Sequence, residues 1–525
     1  MRKFLVATAA ITLMMTMPML TSCTSDNNDN PVTPPEQEPT TEYTIMYYGH
    51  GGGNLDNDLR LMISDFYKAN YDAFKKVNVV AQYKFSTTNN LNKRDVFTKE
   101  VNQRIGSKTI RWSIDPTKTF DDQALDPGNL YGEDNADITC PDSLTNFIKW
   151  AAKAYPAKKY MLIINDHGGG YMPHDELPET TTSAPTRGLI YDDGNIVNNE
   201  KNHFTAKTFK RAITNAGIRF ETIYMMACLM NNLEYQFELK DLCDYVIAST
   251  FLMPGVGGVL NLLPEQLSQP KVDIEQVLSA YCKADVESWD EIIQIDENKA
   301  IYTDLTVTRT ANIEPLGEMM RQFTDRLCNT YANGTEHQKD IIDSCTAHSV
   351  KIQLNRPYYD VAKYMSSIIK ALPEVYGEDF FNQMKETFNS CLVAQNYSKY
   401  LTAHDYMVDY SVLLGANGSY SVIEWGPDLQ TGGTKPMFDY EYGADGSITL
   451  YSLKRSEDGT YYDMGEPIES DFPWGSTLTD TYEQLEFDRI VGWSRWLRLN
   501  RQYPNIFCPS GLNYQLPMPE TETQN

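Results

Sequence analysis

Two short stretches of this chain end in residues that can do covalent chemistry. Phe220 to Met230, FETIYMMACLM, is an apolar run that carries Cys228, and Lys159 to Asn165, KYMLIIN, is a second that delivers Asp166, His167, Gly168, Gly169 and Gly170. A thiolate is a strong nucleophile, and imidazole is the side chain best suited to move a proton near neutral pH. Glycines after the histidine let another backbone, such as a substrate's, come close. Together these are the parts for attack on a carbonyl with a histidine as general base. An isolated cysteine after an apolar strand is more often a small core residue. His167 changes that balance.

The positioning elements follow from hydrophobic spacing. Ile223, Tyr224, Met225 and Met226 predict a buried strand, while Leu229, Leu233 and Phe237 recur at helical spacing, so Cys228 is expected where a strand gives way to a helix. The free N–H groups and positive end of such a helix would favour thiolate. His167 is expected at the C-terminal edge of its own strand. In an open parallel sheet those edges share one rim, so His167 and Cys228 can meet there across 61 positions.

The two strand-end motifs, His-Gly-Gly-Gly and Ala-Cys-Leu-Met, resemble those of the clostripain-like cysteine peptidases, relatives of caspases, gingipains and legumain. The likeness extends to Tyr43–Leu59, to Leu144–Pro156 and to Asp244–Gly258, covering roughly Glu42 to Gly258. It implies a caspase-like three-layer α/β/α domain with a mostly parallel sheet. It also implies His167 as base, Cys228 as nucleophile, and the backbone N–H groups of Gly168 and Cys228 as the oxyanion hole. Relatives are commonly activated by a cut between the His and the Cys, an interval that here holds Arg187 and Lys201.

The departures concern specificity. Relatives that cut after Arg or Lys usually carry an acid two residues before the cysteine, where this chain has Met226. They often continue Ala-Ser with Glu or Asp, where Ala248 and Ser249 are followed by Thr250 and Phe251. An S1 pocket formed by Met226, Thr250 and Phe251 has no counter-charge for a buried cation, whose unpaired burial costs several kcal/mol. The P1 residue is therefore expected not to be Arg or Lys.

With 525 residues the chain can hold two or three domains. Arg2 and Lys3, an apolar run from Phe4 to Leu20, and Leu20-Thr21-Ser22-Cys23 describe a secretory signal. The tetrapeptide resembles the lipobox of bacterial lipoproteins, which makes Cys23 the lipidated first residue; an ordinary signal peptide is the alternative. Thr24–Thr41 holds four acids and four prolines and no apolar cluster, the composition of a disordered spacer. The acids after Cys23 resemble export signals of surface lipoproteins in Bacteroidetes, so the expected place is the outer face of an outer membrane, with the periplasmic face as alternative.

A net charge of −26 without clustered Lys or Arg argues against nucleic acid as a partner. The partners expected are a protein or peptide substrate and membrane lipid, on a monomer. Besides Cys23 and Cys228, seven scattered cysteines form no CxxC pair, so no zinc site is indicated. No cofactor is expected. Calcium assists some relatives, and Asp192-Asp193-Gly194-Asn195 is a cluster of oxygen ligands that an ordinary turn explains equally well.

Along the chain, Tyr43–Tyr48 predicts a strand, Gly49–Asn54 a glycine loop and Leu55–Phe74 a helix. Asn54 stands where the third glycine of a GxGxxG phosphate loop would be, which argues against nucleotide binding. A polar stretch to Thr139 follows a strand near Val79–Phe85. Met172–Arg187 is a Pro/Thr-rich loop with His174, Asp175 and Glu176. Past Leu401 composition turns β-rich, with Asn417-Gly418 and Asp458-Gly459 as hairpin turns and Trp425, Trp474, Trp493 and Trp496 expected to pack a small sheet. The domain plan is thus 1–23 signal, 24–41 spacer, 42–350 peptidase domain, 351–400 helical extension and 401–525 β-rich region.

Two rival functions stand beside the peptidase. The HGGG run also occurs in α/β-hydrolase esterases, but those need a GxSxG turn and this chain has none. A surface binding protein that kept the fold and lost turnover is the other.

Overall fold

Thr41–His50, TEYTIMYYGH, is the strand β1 about which the sheet is built. Its run of β-branched and aromatic residues suits a strand covered on both faces. The computed structural model describes residues 41–502 apart from 88–99, 102, 105–107, 172–187, 198–199, 256, 294–302, 348–350, 354–355, 404–409, 414–423, 428–433, 443–447, 456–461 and 469–481. Cys23, most of the spacer, the Met172–Arg187 loop with its His174, Asp175 and Glu176, Trp474 and both predicted hairpin turns lie outside the described residues.

The strands that follow are β2 (Val77–Lys84), β3 (Thr109–Ser113), β4 (Leu130–Tyr131), β5 (Ala157–Asn165), the hairpin β6 (Leu189–Val197) and β7 (Glu200–Phe204), β8 (Phe220–Met226), β9 (Cys243–Ala248) and β10 (Asp304–Arg309). Next come β11 (Lys351–Gln353), β12 (Arg356–Asp360) and β13 (Leu392–Tyr397). Nine of these form one sheet in the order β13-β10-β9-β8-β5-β1-β2-β3-β4. The five from β9 to β2 are parallel, and antiparallel strands close both edges. This is the mostly parallel sheet expected. Strand β13 (Leu392–Tyr397) completes one edge of this sheet, next to β10.

Alternation along the strands splits the core in two. Met46, Leu162, Ile223 and Met225 face one side with the helices Pro141–Ala154, Ala206–Ala216 and Ile313–Asn333. Ile45, Ile163, Tyr224 and Met226 face the other, with Asp56–Ser64 and Ile274–Ile293. Three layers result. Local signals hold as expected: Thr205 caps its helix by accepting from Thr208 N–H, and Gly217 ends it at φ 72°. The predicted helix 55–74 instead breaks after Ser64 into two short 3₁₀ turns, Asp65–Lys68 and Tyr71–Lys75.

Strands β14 (Ser411–Leu413), β15 (Glu424–Pro427), β16 (Thr434–Tyr442), β17 (Ile448–Arg455) and β18 (Tyr462–Ile468) bear out the β-rich reading, the last four as one antiparallel sheet. Trp493 and Trp496 do not belong to it. They lie buried in the helix Trp493–Gln502, with rings 6.3 Å from Tyr364 and 5.2 Å from Tyr331. Nearby, Tyr482 donates its hydroxyl to Glu234 at 2.7 Å and packs edge-on against Tyr171, and the Glu486 N–H reaches Glu238 at 2.8 Å. Among the described residues no helix is long and apolar enough to cross a membrane.

Candidate active site

Strand β8 ends at Met226 and the chain turns at once. Ala227 N–H bonds the Met225 carbonyl at 2.9 Å and Leu229 adopts φ 63°. A left-handed leucine costs about 1–2 kcal/mol, and Leu229 N–H offsets this by donating to the Phe251 carbonyl at 2.9 Å. Cys228, half-buried, thereby reaches a cavity of about 200 Å³. The expected helix does not begin there. It starts at Leu233, capped by the Asn232 side chain, and has seven residues, so its positive end is not at the thiol. The four residues between are spent on the turn. What meets Cys228 Sγ is the backbone N–H of Met253, at 3.2 Å.

His167 follows β5 by two residues and lines the same cavity. Its loop is pinned to β6: Asp166 accepts Tyr191 N–H at 2.7 Å, Gly169 N–H reaches Gly188 O at 2.9 Å, and Ile190 N–H reaches His167 O at 3.2 Å. Gly168 is therefore the non-hydrogen-bonded partner of Leu189, and its own N–H points away from β6. The cysteine turn packs against this glycine. A Cβ at 168 would fall on the Cys228 carbonyl oxygen and 2.8 Å from the Cys228 nitrogen.

The imidazole of His167 stacks on Tyr191, with centroids 5.6 Å apart at 14°. Its Nε2 lies 2.7 Å from Asn54 Oδ1. An amide oxygen only accepts, so Nε2 is the donor in this contact, and in the neutral ring that tautomer leaves the lone pair on Nδ1. Asn54 comes from the glycine loop after β1, where Gly52 at φ 56° sits against the imidazole ring. That loop, read above against a phosphate-binding pattern and as part of the family likeness, holds the His167 ring. The signal for it was its place after a central strand, beside the crevice where the sheet order reverses between β1 and β5.

Met226 forms the cavity wall with Leu59 and Met62 from the facing helix, and Leu55, Leu252, Met253, Pro254 and Gly255 complete the apolar lining. Thr250 and Phe251 are not part of it. Both are buried beneath the rim, where their N–H groups donate to Asp304 at 2.7 and 3.1 Å. The wall expected of them is made by the next residues, Leu252 to Gly255. Behind Met226, Asp285 is fully buried and accepts from Tyr224, Tyr281 and Val259 N–H. Burial pushes its carboxyl up to about 7 against those bonds. Asp58 stands beside Gly255 at the rim.

The Asp192–Asn195 stretch is not the turn expected but lies within β6, at a break in its register with β7, and it does not fit calcium. Both oxygens of Asp192 accept from Lys84 Nζ, at 2.7 and 2.8 Å, and the same carboxylate accepts from Ile138 N–H, Gly194 N–H and the Asn195 amide. An ammonium holds the place of a cation. His50, 3.1 Å from Asp193, completes this buried cluster; burial alone would lower its pKa, but Asp193 and Asp192 raise it to about 9. Of the suggested processing residues, Arg187 lies outside the described residues, and Lys201 sits within β7, paired with Ile196.

The Clostripain family (Peptidase_C11) matches residues 123–440, more than half of the chain. Clostripain of Hathewaya histolytica is 25% identical over 228 residues, which are 41% of this chain and 40% of that protein, so the match spans well under half of its length. Among solved structures, a secreted C11 cysteine protease from Bacteroides thetaiotaomicron is 17% identical with a TM-score of 0.48, covering 72% of this chain and 91% of that one. An inactive zymogen C11 protease from Parabacteroides distasonis is 13% identical with a TM-score of 0.48, covering 86% and 99%. The extent of the family match settles the affiliation: this chain is a member of the clostripain family.

Proposed function

We propose that the protein is a cysteine endopeptidase in which Cys228 is the nucleophile and His167 the base. The observation that carries this reading is the meeting of His167 and Cys228 at one cavity, with Gly168 pressed against the Cys228 backbone. His167 Nδ1 takes the thiol proton and Sγ adds to the peptide carbonyl carbon. The carbonyl oxygen gains the electron pair and is held by the N–H groups of Gly168 and Cys228. The C–N bond then breaks as His167 returns the proton to the leaving amine. Water, deprotonated by His167, hydrolyses the thioester and restores the thiol.

The wall of Met226, Met62 and Leu59 favours an apolar P1 side chain over Arg or Lys. Acyloxymethyl ketone probes test both claims on the purified protein. A Leu-P1 or Met-P1 probe is expected to label roughly ten-fold or more faster than an Arg-P1 probe, and Cys228→Ala to abolish labelling. A faster Arg probe would mean that a carboxylate such as Asp58 pairs with the cation, and the apolar preference would be wrong. If neither probe labels, before or after limited proteolysis, the protein is a binding lipoprotein on a peptidase fold.

Leu20-Thr21-Ser22-Cys23 supports anchoring through lipidated Cys23 at the outer membrane, with the acidic spacer carrying a monomeric enzyme to the cell surface. Cys23→Ala is expected to shift the protein from the membrane fraction to the soluble one. Unchanged membrane retention would refute the anchor.

A further inference from the structure

Asp304 is a buried acid that the proposed mechanism does not use. Strand β10 is antiparallel to its neighbour β9, so its first residue, Asp304, arrives at the rim where β5, β8 and β9 end. Asp304 is fully buried and accepts five hydrogen bonds. Ser249 Oγ and the Thr250 and Phe251 N–H groups reach Oδ1 at 2.9, 2.7 and 3.1 Å; Thr250 and Thr306 hydroxyls reach Oδ2 at 3.0 and 3.3 Å. Three consecutive residues are thus clamped on one carboxylate.

That clamped segment holds the cysteine turn at four points. Phe251 O accepts from Leu229 N–H, Ser249 O accepts from Asn231 N–H at 2.9 Å, Thr250 Oγ1 accepts from the Asn231 amide at 2.9 Å, and Met253 N–H donates to Cys228 Sγ. We propose that Asp304 is a positioning residue for the nucleophile, holding Ser249–Met253 so that Met253 N–H stays aimed at Cys228 Sγ. It rests on the reading of Cys228 as nucleophile but acts on the thiol before any substrate binds. Burial pushes the Asp304 carboxyl up to about 6 against its hydrogen bonds, which leaves it mostly ionised and accepting at neutral pH. On the helix Ile274–Ile293, among the described residues, Cys282 feels this carboxylate: burial, then the charges of Asp285 and Asp304, push its thiol up.

Asn at 304 keeps the shape but replaces one acceptor oxygen with an NH₂ that faces N–H and O–H donors. The test is the rate of alkylation by iodoacetamide from pH 5 to 9, followed at each cysteine by peptide mass spectrometry on the full chain. Cys140, half-buried at the start of the helix Pro141–Ala154, is the internal reference. In Asp304→Asn the Cys228 rate at pH 7 is expected to fall about ten-fold, the loss of one hydrogen bond to a charged acceptor. Its pH midpoint should rise, with Cys140 unchanged. Thr250→Val, which removes only the Oγ1 contacts, is expected to slow Cys228 about three-fold and covers the case in which Asp304→Asn does not fold. Wild-type rate and pH midpoint in folded Asp304→Asn, or a wild-type rate in Thr250→Val if Asp304→Asn is unfolded, would overturn the proposal. Slowed alkylation in a protein whose wild type cleaves no peptide would uphold the positioning and discard the peptidase reading.

Discussion

Cys228→Ala is expected to lower kcat/KM for peptide hydrolysis by on the order of 10⁴-fold or more, because a covalent route cannot run without its nucleophile. The proposed oxyanion donors, the N–H groups of residues 168 and 228, are backbone and survive the change, so a small residual rate over water is expected to remain. The fold should tolerate the substitution. Cys228 is half-buried and its Sγ accepts the Met253 N–H at 3.2 Å, a hydrogen bond whose loss costs about 1 kcal/mol. Steady-state kinetics on the best P1 substrate, paired with thermal unfolding, separates the two effects. A folded variant retaining more than about a hundredth of wild-type kcat/KM would remove Cys228 from the mechanism, since removing a nucleophile costs far more than that.

Gly168→Ala is expected to lower kcat by about 10²- to 10³-fold while KM changes much less. The added Cβ would fall on the Cys228 carbonyl oxygen and 2.8 Å from its nitrogen. Both are backbone atoms with no rotamer through which to escape, so the His loop and the cysteine turn must part. Those two loops are proposed to supply the two oxyanion donors, and parting them spoils the spacing a tetrahedral oxyanion needs. Overpacking of this kind also costs roughly 1–3 kcal/mol of stability. Wild-type kcat in this variant would show that the two N–H groups do not act together. A rise in KM alone would place Gly168 in substrate binding instead.

What could be read in advance was what runs along one strand. The apolar runs of β1, β5 and β8 announce themselves as buried strands, and parallel strands share a rim, so His167 and Cys228 could be paired across 61 positions. Asn54 and Asp304 could not be found that way. Asn54 sits in a loop whose glycines suit several purposes, and its partner is 113 residues away. Asp304 meets Ser249, Thr250 and Phe251 across 53 to 55 residues through an antiparallel crossover that no periodicity encodes. Strand β3 was hidden in a polar stretch because its residues alternate, with Ile110 and Trp112 inward. The helix after Cys228 was placed too early because Leu229, Leu233 and Phe237 fit helical spacing although Leu229 belongs to the turn.

The packing of the last described helices on the first helix after Cys228 sets an order in time. All seven residues of Leu233–Leu239 are buried, and Glu234 and Glu238 receive Tyr482 and the Glu486 N–H, while Phe237 meets Phe487 at 5.1 Å. None of those covers exists until Tyr482, Glu486 and Phe487 have been synthesised. A nascent or C-terminally clipped chain, even with His167 and Cys228 in place, lacks the Tyr482 and Glu486 donors to Glu234 and Glu238 and the Phe487 ring against Phe237, though Glu238 keeps its ion pair with Lys210 at 2.8 Å. That packing is therefore completed late in synthesis, since Tyr482 follows its acceptor Glu234 by 248 residues.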